Sequence, residues 1–245
     1  MGSIRVTDSR IQEEIDAASV AFHRQTADVL PYISGEDQAA LNGDEGWQDL
    51  LSLIVLVYRL YGLPRERASF MAALMSLLRF SGHLHGRIED GMQGLDRQVQ
   101  NRLLVGDMLM ARALDLLARD EAHTLIDYFA GLVIHVSEGM VHRLRQGEPD
   151  RASIAGTEAP WYEAAFYSAA RLAGQDGEPL EAAGRLGYKL GMLAETLRQG
   201  IAPQPEDALT PADWAVLPEG PEKTTLLQYA RTIETALALE EREEK

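Results

Sequence analysis

The sequence predicts an all-α protein, arranged as a single helical bundle over residues 1–245. Apolar residues recur at intervals of three and four in eight windows, which is the spacing of one helical face. No window shows the alternating β-branched pattern that is typical of a strand. Glycines and prolines fall between the helical windows, where helices end. These three observations together favour a bundle without a sheet.

The clearest windows show both an apolar and a polar face. Between residues 68 and 80, Phe70, Leu74 and Leu77 lie on one side of a helix. Between residues 101 and 119 an apolar stripe faces away from charged residues such as Arg112. The other windows are assigned on the same periodicity. In chain order, the eight windows are residues 11–29, 47–61, 68–80, 101–119, 123–145, 161–172, 180–201 and 224–240.

Breakers divide the chain between these windows. Gly62 and Pro64 end one helix and begin the next. Residues 147–160 and 202–221 are predicted loops, because they contain two and five prolines. The acidic residues 240–245 are expected to be a solvated, fraying helix end. The predicted parts are N-terminal helices (1–45), a bundle core (46–201), a proline-rich loop (202–222) and a C-terminal helix with an acidic tail (223–245).

Composition excludes several classes of function. The chain is 46% hydrophobic and carries 23 basic against 38 acidic residues, a net charge of −15. Such a field repels polyanions, so binding to nucleic acid is not expected. The absence of cysteine excludes disulfides and thiolate metal sites. The start of the chain is polar and no apolar run is long enough for a membrane span, so we expect a soluble, cytoplasmic protein.

No catalytic motif stands by itself in this sequence. The glycines are dispersed and form no phosphate-binding loop. His83 and His85 are two residues apart, so on a helix they point to different sides and cannot share a metal ion. His135 and His142 lie seven apart without a ligand between them. The residues alone therefore predict no metal and no cofactor for this chain.

Six short segments occur in an order that resembles the trans-prenyl diphosphate synthases. The strongest covers residues 103–113, LLVGDMLMARA, and resembles the family's V-L-x-G-D-x-L-x-A-x-A helix. Residues 137–139 resemble its E-G pair. Each segment is weak alone, but their order and spacing extend over residues 46–230. The remaining four are residues 46–51 (G-K-R-x-R-P), 85–90 (H-D-D-x-x-D), 190–199 (L-G-x-x-F-Q-x-x-D-D) and 217–227 (L-x-x-G-K-x-T-x-P-L).

The resemblance implies an isoprenoid-synthase-type bundle whose active site has degenerated. In the family, two facing aspartate motifs hold Mg²⁺ ions that neutralise an allylic diphosphate. Basic residues of the first segment grip the second diphosphate substrate. Most of these side chains are replaced here. The first aspartate motif reads Gly86, Arg87, Glu89 and Asp90, the second reads Glu195, Arg198 and Gln199, and the positions of the lost diphosphate clamp are Trp47, Gln48, Leu50 and Arg79.

These replacements predict that the chain alone is not a prenyltransferase, because catalysis in such a site is largely electrostatic. Two arginines lead to a sharper hypothesis. Arg87 lies one helical turn before Asp90, and the resemblance places Arg198 on the facing helix. Each guanidinium could lie where a metal did and pair with Asp90 or Glu195. Ordinary solvent exposure of both arginines is the alternative.

The helix around Gly106 matches the family although the active site does not. In the family this helix and the next one form the dimer interface, so the resemblance implies packing on a partner. Small and flexible side chains there favour close approach of two helices. The alternative is that they only fill the core of this chain. The expected interface residues are Leu104, Gly106, Asp107, Met108, Met110, Ala111 and Ala113.

The chain is most similar to the metal-free small subunit, component I, of bacterial heptaprenyl or hexaprenyl diphosphate synthases. The resemblance implies a non-catalytic, regulatory subunit in isoprenoid (quinone side-chain) biosynthesis, with Mg²⁺ bound only by an Asp-rich partner. One alternative is a homodimer that holds an isoprenoid or another lipid in the emptied bundle. Another is a divergent prenyltransferase that binds a single metal through Glu89, Asp90 and Glu195.

Overall fold

A computed structural model describes residues 8–43, 45–88, 97–146 and 150–243. These residues form α-helices and short 3-10 turns, and none of them forms a strand, so the all-α prediction is confirmed. In the described residues the helices are α1 (Gln12–Thr26), α2 (Gly35–Gly43), α3 (Glu45–Leu60), α4 (Arg65–Gly86), α5 (Arg97–Arg119), α6 (Ile126–Gln146), α7 (Arg151–Thr157), α8 (Ala159–Leu172), α9 (Gly177–Gln199), α10 (Pro211–Ala215) and α11 (Pro221–Glu243).

Helix α3 lies at the centre of the bundle. Its residues from Leu53 to Tyr58 are apolar or aromatic on every side and completely or almost completely buried. A helix that is apolar all round is stable only when other helices cover it. Helices α4, α8 and α11 all contact α3 and supply that cover. The buried Tyr58 hydroxyl forms a 2.6 Å hydrogen bond with the hydroxyl of Ser168 on α8.

Helices α8 and α9 make the most extensive contact in the described part of the chain, and glycines permit it. A Cβ atom on Gly187 would lie 2.6 Å from the carbonyl oxygen of Tyr162. One on Gly191 would lie 2.9 Å from the Cα of Ala159. Such distances are too short for any residue larger than glycine. The two backbones therefore pack directly on each other, and this fixes the ends of both helices that carry the candidate site.

Three short helices were not predicted. The predicted loop 147–160 instead contains α7 and the first residues of α8. Helix α7 begins at a capping box in which Asp150 and Ser153 each accept a hydrogen bond from the other's backbone N–H. The predicted loop 202–221 likewise contains α10, capped by Thr210. Helix α2 was missed as well. Periodicity cannot identify helices of two or three turns, but caps stabilise them.

Helix boundaries also differ from those predicted. Helix α4 extends to Gly86, six residues beyond its predicted end, and α5 begins at Arg97 instead of residue 101. Helix α9 stops at Gly200, which adopts a left-handed φ of +65° and bonds back to the last turn. Helix α11 continues to Glu243, so the acidic tail is helical over most of its length. The extension of α4 places Gly86 and Arg87 at a helix end.

Helix α6 is unusually apolar for a helix with so much exposed surface. The segment Ala122–Arg145 is long and apolar enough to cross a membrane, judged by length and composition alone, and only 28% of its most apolar window is buried. The helix nevertheless packs on α4, α7 and α8 within the bundle. Its exposed side carries a stripe of residues that includes Ile134, Val141 and Leu144. The exposed side thus carries these apolar residues beside charged ones such as Glu138 and Arg145.

Candidate functional site

The ends of α3, α8 and α9 meet at a group of charged side chains. Arg198 donates a 3.0 Å hydrogen bond from Nη2 to Oδ2 of Asp49, which lies 149 residues away in sequence. Its Nη1 pairs with Oε1 of Glu195, one turn earlier on α9. The Tyr162 hydroxyl donates to the same Glu195 oxygen at 3.1 Å. We call Asp49, Tyr162, Glu195 and Arg198 the acid–arginine cluster.

Burial makes the electrostatics of this cluster strong. Asp49 is 2% exposed and Glu195 is 3% exposed, whereas the Arg198 side chain is 30% exposed. Burial and the nearby Glu158 carboxylate raise the pKa of Glu195, and Arg198 and Arg79 oppose that rise. A buried carboxylate without a cation is costly. Arg198 therefore helps to compensate the charge of two buried acids.

The acid–arginine cluster does not fit a divalent metal. Mg²⁺ requires free oxygen ligands, but one oxygen of Asp49 and one of Glu195 already accept hydrogen bonds from the Arg198 guanidinium. Arg198 brings its positive charge to the place where the resemblance puts a metal-binding aspartate. Within the described ranges, no three His, Asp or Glu side chains are grouped as metal ligands. Glu89 and Asp90 of the first motif lie outside the described residues.

The hypothesis of internal arginine pairs is confirmed for Arg198, which contacts Glu195. For Arg87 the structure gives different partners. Arg87 follows the last residue of α4, pairs with Glu36 and lies 3.5 Å from Asp37, both on α2. Its predicted pairing with Asp90 concerns a residue outside the described ranges. Arg87 thus connects the end of α4 to the N-terminal part of the chain.

Asp37 is the buried centre of this second group of charges. It is fully buried and accepts a 2.9 Å hydrogen bond from Nε of Arg102 on α5. Burial alone would raise the pKa of Asp37, but hydrogen bonds from Arg102 and Ser34 outweigh burial and the pKa lies below its ordinary value. Arg102 and Arg87 both approach Asp37, so α2, α4 and α5 are joined at one acid.

Two of the four positions at which the resemblance predicts a lost diphosphate clamp, Trp47 and Arg79, form part of the wall of a cavity. Trp47 and Leu50 are buried on α3 and Gln48 is half-buried. The Arg79 guanidinium lies 5.1 Å from the centre of the Trp47 ring, a cation–π contact. Nη2 of Arg79 also donates to Oε2 of Glu158 at 2.9 Å. Arg79 is thus held between an aromatic ring and a carboxylate.

This wall borders a cavity of about 410 Å³ between the ends of α4, α6 and α8. Its size is within the usual range of ligand pockets. Three arginines, one histidine and one glutamate line it, together with two tryptophans. The charged and aromatic lining residues are Trp47, Arg79, His83, Arg87, Arg143, Glu158 and Trp161.

The seven predicted interface residues fall into three groups by exposure. Gly106 and Ala113 are buried within the chain, where they pack against its other helices. Met110 is half-buried. The other four share an exposed face of α5, with Leu104 as much as 68% exposed. These four residues are Leu104, Asp107, Met108 and Ala111.

Packing on α4 explains the burial of Gly106. A Cβ atom on Gly106 would lie 2.4 Å from Nε2 of His85, so any larger residue would displace that ring. The same Nε2 lies 3.2 Å from Oδ1 of Asp107, and Ser81 donates a 2.7 Å hydrogen bond to the Gly106 carbonyl. The Gly-Asp pair, the strongest sequence segment, therefore joins α5 to α4 within the chain.

Sequence reasoning missed three residues of this region. Asp49 is an acid within a strongly apolar helix, and that contrast is a signal for a buried ion pair. Glu158 was assigned to a loop, whereas it precedes α8 and pairs with Arg79. Arg143 reaches the cavity from α6, which nothing in the local sequence indicates.

Neither the family models nor the curated protein sequences include a match to this chain. Solved structures do resemble it. A geranylgeranyl pyrophosphate synthetase from the archaeon Geoglobus acetivorans is 14% identical with a TM-score of 0.66, over 93% of this chain and 99% of that one. The geranyl diphosphate synthase small subunit from Antirrhinum majus is 16% identical with a TM-score of 0.63, over 91% of this chain and 100% of that one.

A polyprenyl synthase from Caulobacter crescentus is 20% identical with a TM-score of 0.63, over 98% of this chain and 89% of that one. At such identities the likeness concerns the fold. This chain therefore has the all-α isoprenoid-synthase fold, as the sequence predicted.

Proposed function

We propose that this isoprenoid-synthase-type bundle is the non-catalytic subunit of a heteromeric prenyl diphosphate synthase. The observation that carries the proposal is the position of Arg198, whose guanidinium pairs with both Asp49 and Glu195. Cleavage of an allylic diphosphate needs positive charge around the leaving group, held in place by acidic side chains. In this chain Glu195 of the second motif and the nearby Asp49 are already paired with an arginine of the same chain.

A catalytic partner would supply what this chain has lost. The partner would bind Mg²⁺ and both diphosphates through intact aspartate motifs. This chain would cover the partner's interface, stabilise it and influence the length of its product. The Antirrhinum structure is of a small subunit, and another similar structure comes from a heterotetrameric geranyl pyrophosphate synthase of mint. Assemblies of more than one kind of subunit thus occur among proteins similar to this chain.

The exposed apolar surface of α5 and α6 supports a protein partner. Leu104 is 68% exposed on α5, and Ile134 is 61% exposed on α6. The two helices are consecutive, joined by a 3-10 turn, and contact each other. Exposed apolar side chains on adjoining helices are typical of an interface. A partner on this surface would also cover the exposed apolar stripe of α6.

The test is co-expression with the Asp-rich synthase of the same genome, with the affinity tag on this chain. We expect the pair to co-elute and to form prenyl diphosphates at a rate that neither chain reaches alone. Leu104→Arg and Ile134→Arg should each abolish co-elution without loss of helicity. Val20→Arg is the matched control, since Val20 is an equally apolar, 58% exposed residue on α1.

Other outcomes would favour the alternatives. A chain that elutes as a homodimer, carries a lipid and adds nothing to the synthase would indicate a binding protein. A chain that alone releases pyrophosphate from farnesyl diphosphate with Mg²⁺, and loses this activity on Glu195→Gln, would indicate a single-metal enzyme. Either result would overturn the proposed role as a non-catalytic subunit.

A further inference from the structure

A groove lies between α10 and α11, away from the candidate site. Both helices pack on α9, and the groove between them has a volume of about 350 Å³. That volume is near the lower limit of ligand pockets, so it fits a small molecule better than a long chain. The described residues that line it are separate from the acid–arginine cluster and from the cavity beside Trp47. The lining residues are Leu209, Thr210, Pro211, Trp214, Leu227, Ala230, Arg231 and Glu234.

Contacts with α9 hold the α10 side of the groove in place. Thr210 and Asp213 form a capping box at the start of α10. Nζ of Lys189 on α9 donates a 3.0 Å hydrogen bond to Oδ1 of the same Asp213. Leu217, which follows α10, is buried in the core. The groove is therefore formed before any ligand arrives, which lowers the entropic cost of binding.

The inner side of the groove is apolar. Trp214 and Leu209 are half-buried and pack against the main core. Leu227 and Ala230 line the groove from α11. An indole ring offers a broad, rigid apolar surface, and the aliphatic side chains beside it extend that surface. This side of the groove thus favours a ligand with a large apolar group.

The outer edge of the groove carries one positive and one negative charge. Arg231 and Glu234 lie one turn apart on α11, so their side chains are neighbours on the same face of the helix. Both residues are exposed, and neither side chain forms a hydrogen bond or an ion pair with a residue that the structure describes. Their donors and acceptors are therefore available to a ligand.

We infer that this groove binds a free α-amino acid with a large apolar side chain. The carboxylate of the ligand pairs with Arg231, its ammonium group pairs with Glu234, and its side chain lies against Trp214. Such pairs are charge-assisted hydrogen bonds, and opposite charges fix the orientation of the ligand. The end of a peptide offers only one of the two charges. The site uses neither the candidate site nor a partner subunit, so it is independent of the proposed pairing with a synthase.

The experiment follows 4-fluoro-L-phenylalanine by fluorine NMR in the presence of the purified full chain, because the signal of a small molecule broadens when it is bound. Unlabelled competitors then separate the three contacts. L-alanine lacks the apolar body, N-acetyl-L-phenylalanine lacks the positive charge, and L-phenylalanine amide lacks the negative charge. We expect each of the three to compete about fivefold more weakly than L-phenylalanine, the difference expected when one exposed contact is lost.

Arg231→Gln and Glu234→Gln should each weaken binding of the fluorinated probe about fivefold. Arg171→Gln and Glu181→Gln are the matched controls, since they remove the same charges from exposed positions on α8 and α9 outside the groove, and they should bind the probe as the wild type does. All four residues are exposed, so far-UV circular dichroism should show an unchanged fold.

Absence of saturable broadening with the wild type would overturn the inference. Competition by L-alanine, or by either derivative that lacks a charge, at the strength of L-phenylalanine would also overturn it. Equal losses of binding in the groove variants and in their controls would have the same meaning.

Discussion

Replacing Arg198 with methionine tests the acid–arginine cluster directly. Methionine keeps much of the length and apolar volume of arginine but removes the charge. Asp49 and Glu195 would then remain, 2% and 3% exposed, without their cation. Removal of one partner from a buried ion pair typically costs about 3 to 5 kcal/mol. Because the Arg198 side chain is 30% exposed, water moderates the loss, and we expect about 2 to 3 kcal/mol.

The measurement is urea unfolding at pH 7, followed by far-UV circular dichroism. The midpoint should fall while the m-value stays constant, because the surface exposed on unfolding does not change. Arg185→Met is the matched control on the same helix. Arg185 also pairs with a glutamate, Glu178, but both side chains are exposed. Its replacement should cost less than about 0.5 kcal/mol.

The pH dependence gives a second, independent check. Glu195 has a pKa above its ordinary value of 4.5 in the folded protein, so it favours the fold most when protonated. Without Arg198 its pKa would rise further, since Arg198 is one of the groups that lower it. The difference in stability between wild type and Arg198→Met should therefore shrink as the pH falls from 7 towards 4.5. A loss below about 0.5 kcal/mol at pH 7, equal to that of Arg185→Met, would contradict the proposed electrostatic role.

Two further substitutions test the packing of the bundle and the second buried acid. Gly187→Ala should destabilise the fold by about 2 kcal/mol or more, because the new Cβ would meet the Tyr162 carbonyl. Gly184→Ala is the control: its Cβ would meet atoms only beyond 3.5 Å, so it should be neutral or stabilising. Thermal unfolding measures both. Arg102→Met should lower the free energy of unfolding, measured in urea, by about 3 kcal/mol, because the fully buried Asp37 loses its closest cation. Arg119→Met, at an exposed arginine on the same helix, should lower it by much less.

The sequence was sufficient for the long helices because their periodicity is a local property. The apolar run in α3 predicts a helix that others must cover, and the structure places it at the centre. Helix α7 could not be predicted in this way. It has only seven residues, too few for a clear apolar periodicity. Its stability depends on the capping box of Asp150 and Ser153 and on packing against α6.

In the candidate site, too, the residue types could be predicted from the sequence but their contacts could not. The resemblance to the synthases predicted that Arg87 and Arg198 stand where the family has aspartates. It could not indicate that Arg198 forms an ion pair with Asp49, because ion pairs between residues far apart in sequence depend on how the helices that carry them pack. Likewise, the sequence singled out the helix of Gly106, but contact with His85 across two helices decided that this glycine is buried inside the chain.

By itself, the sequence determined the helical fold and the net negative charge, because composition and spacing along one helix are properties of the chain alone. Only the tertiary structure decided which charges meet. It placed Arg198 on two buried acids and three arginines around one cavity. Charge pairs form between side chains that are close in space, and for residues far apart in sequence that closeness is set by helix packing.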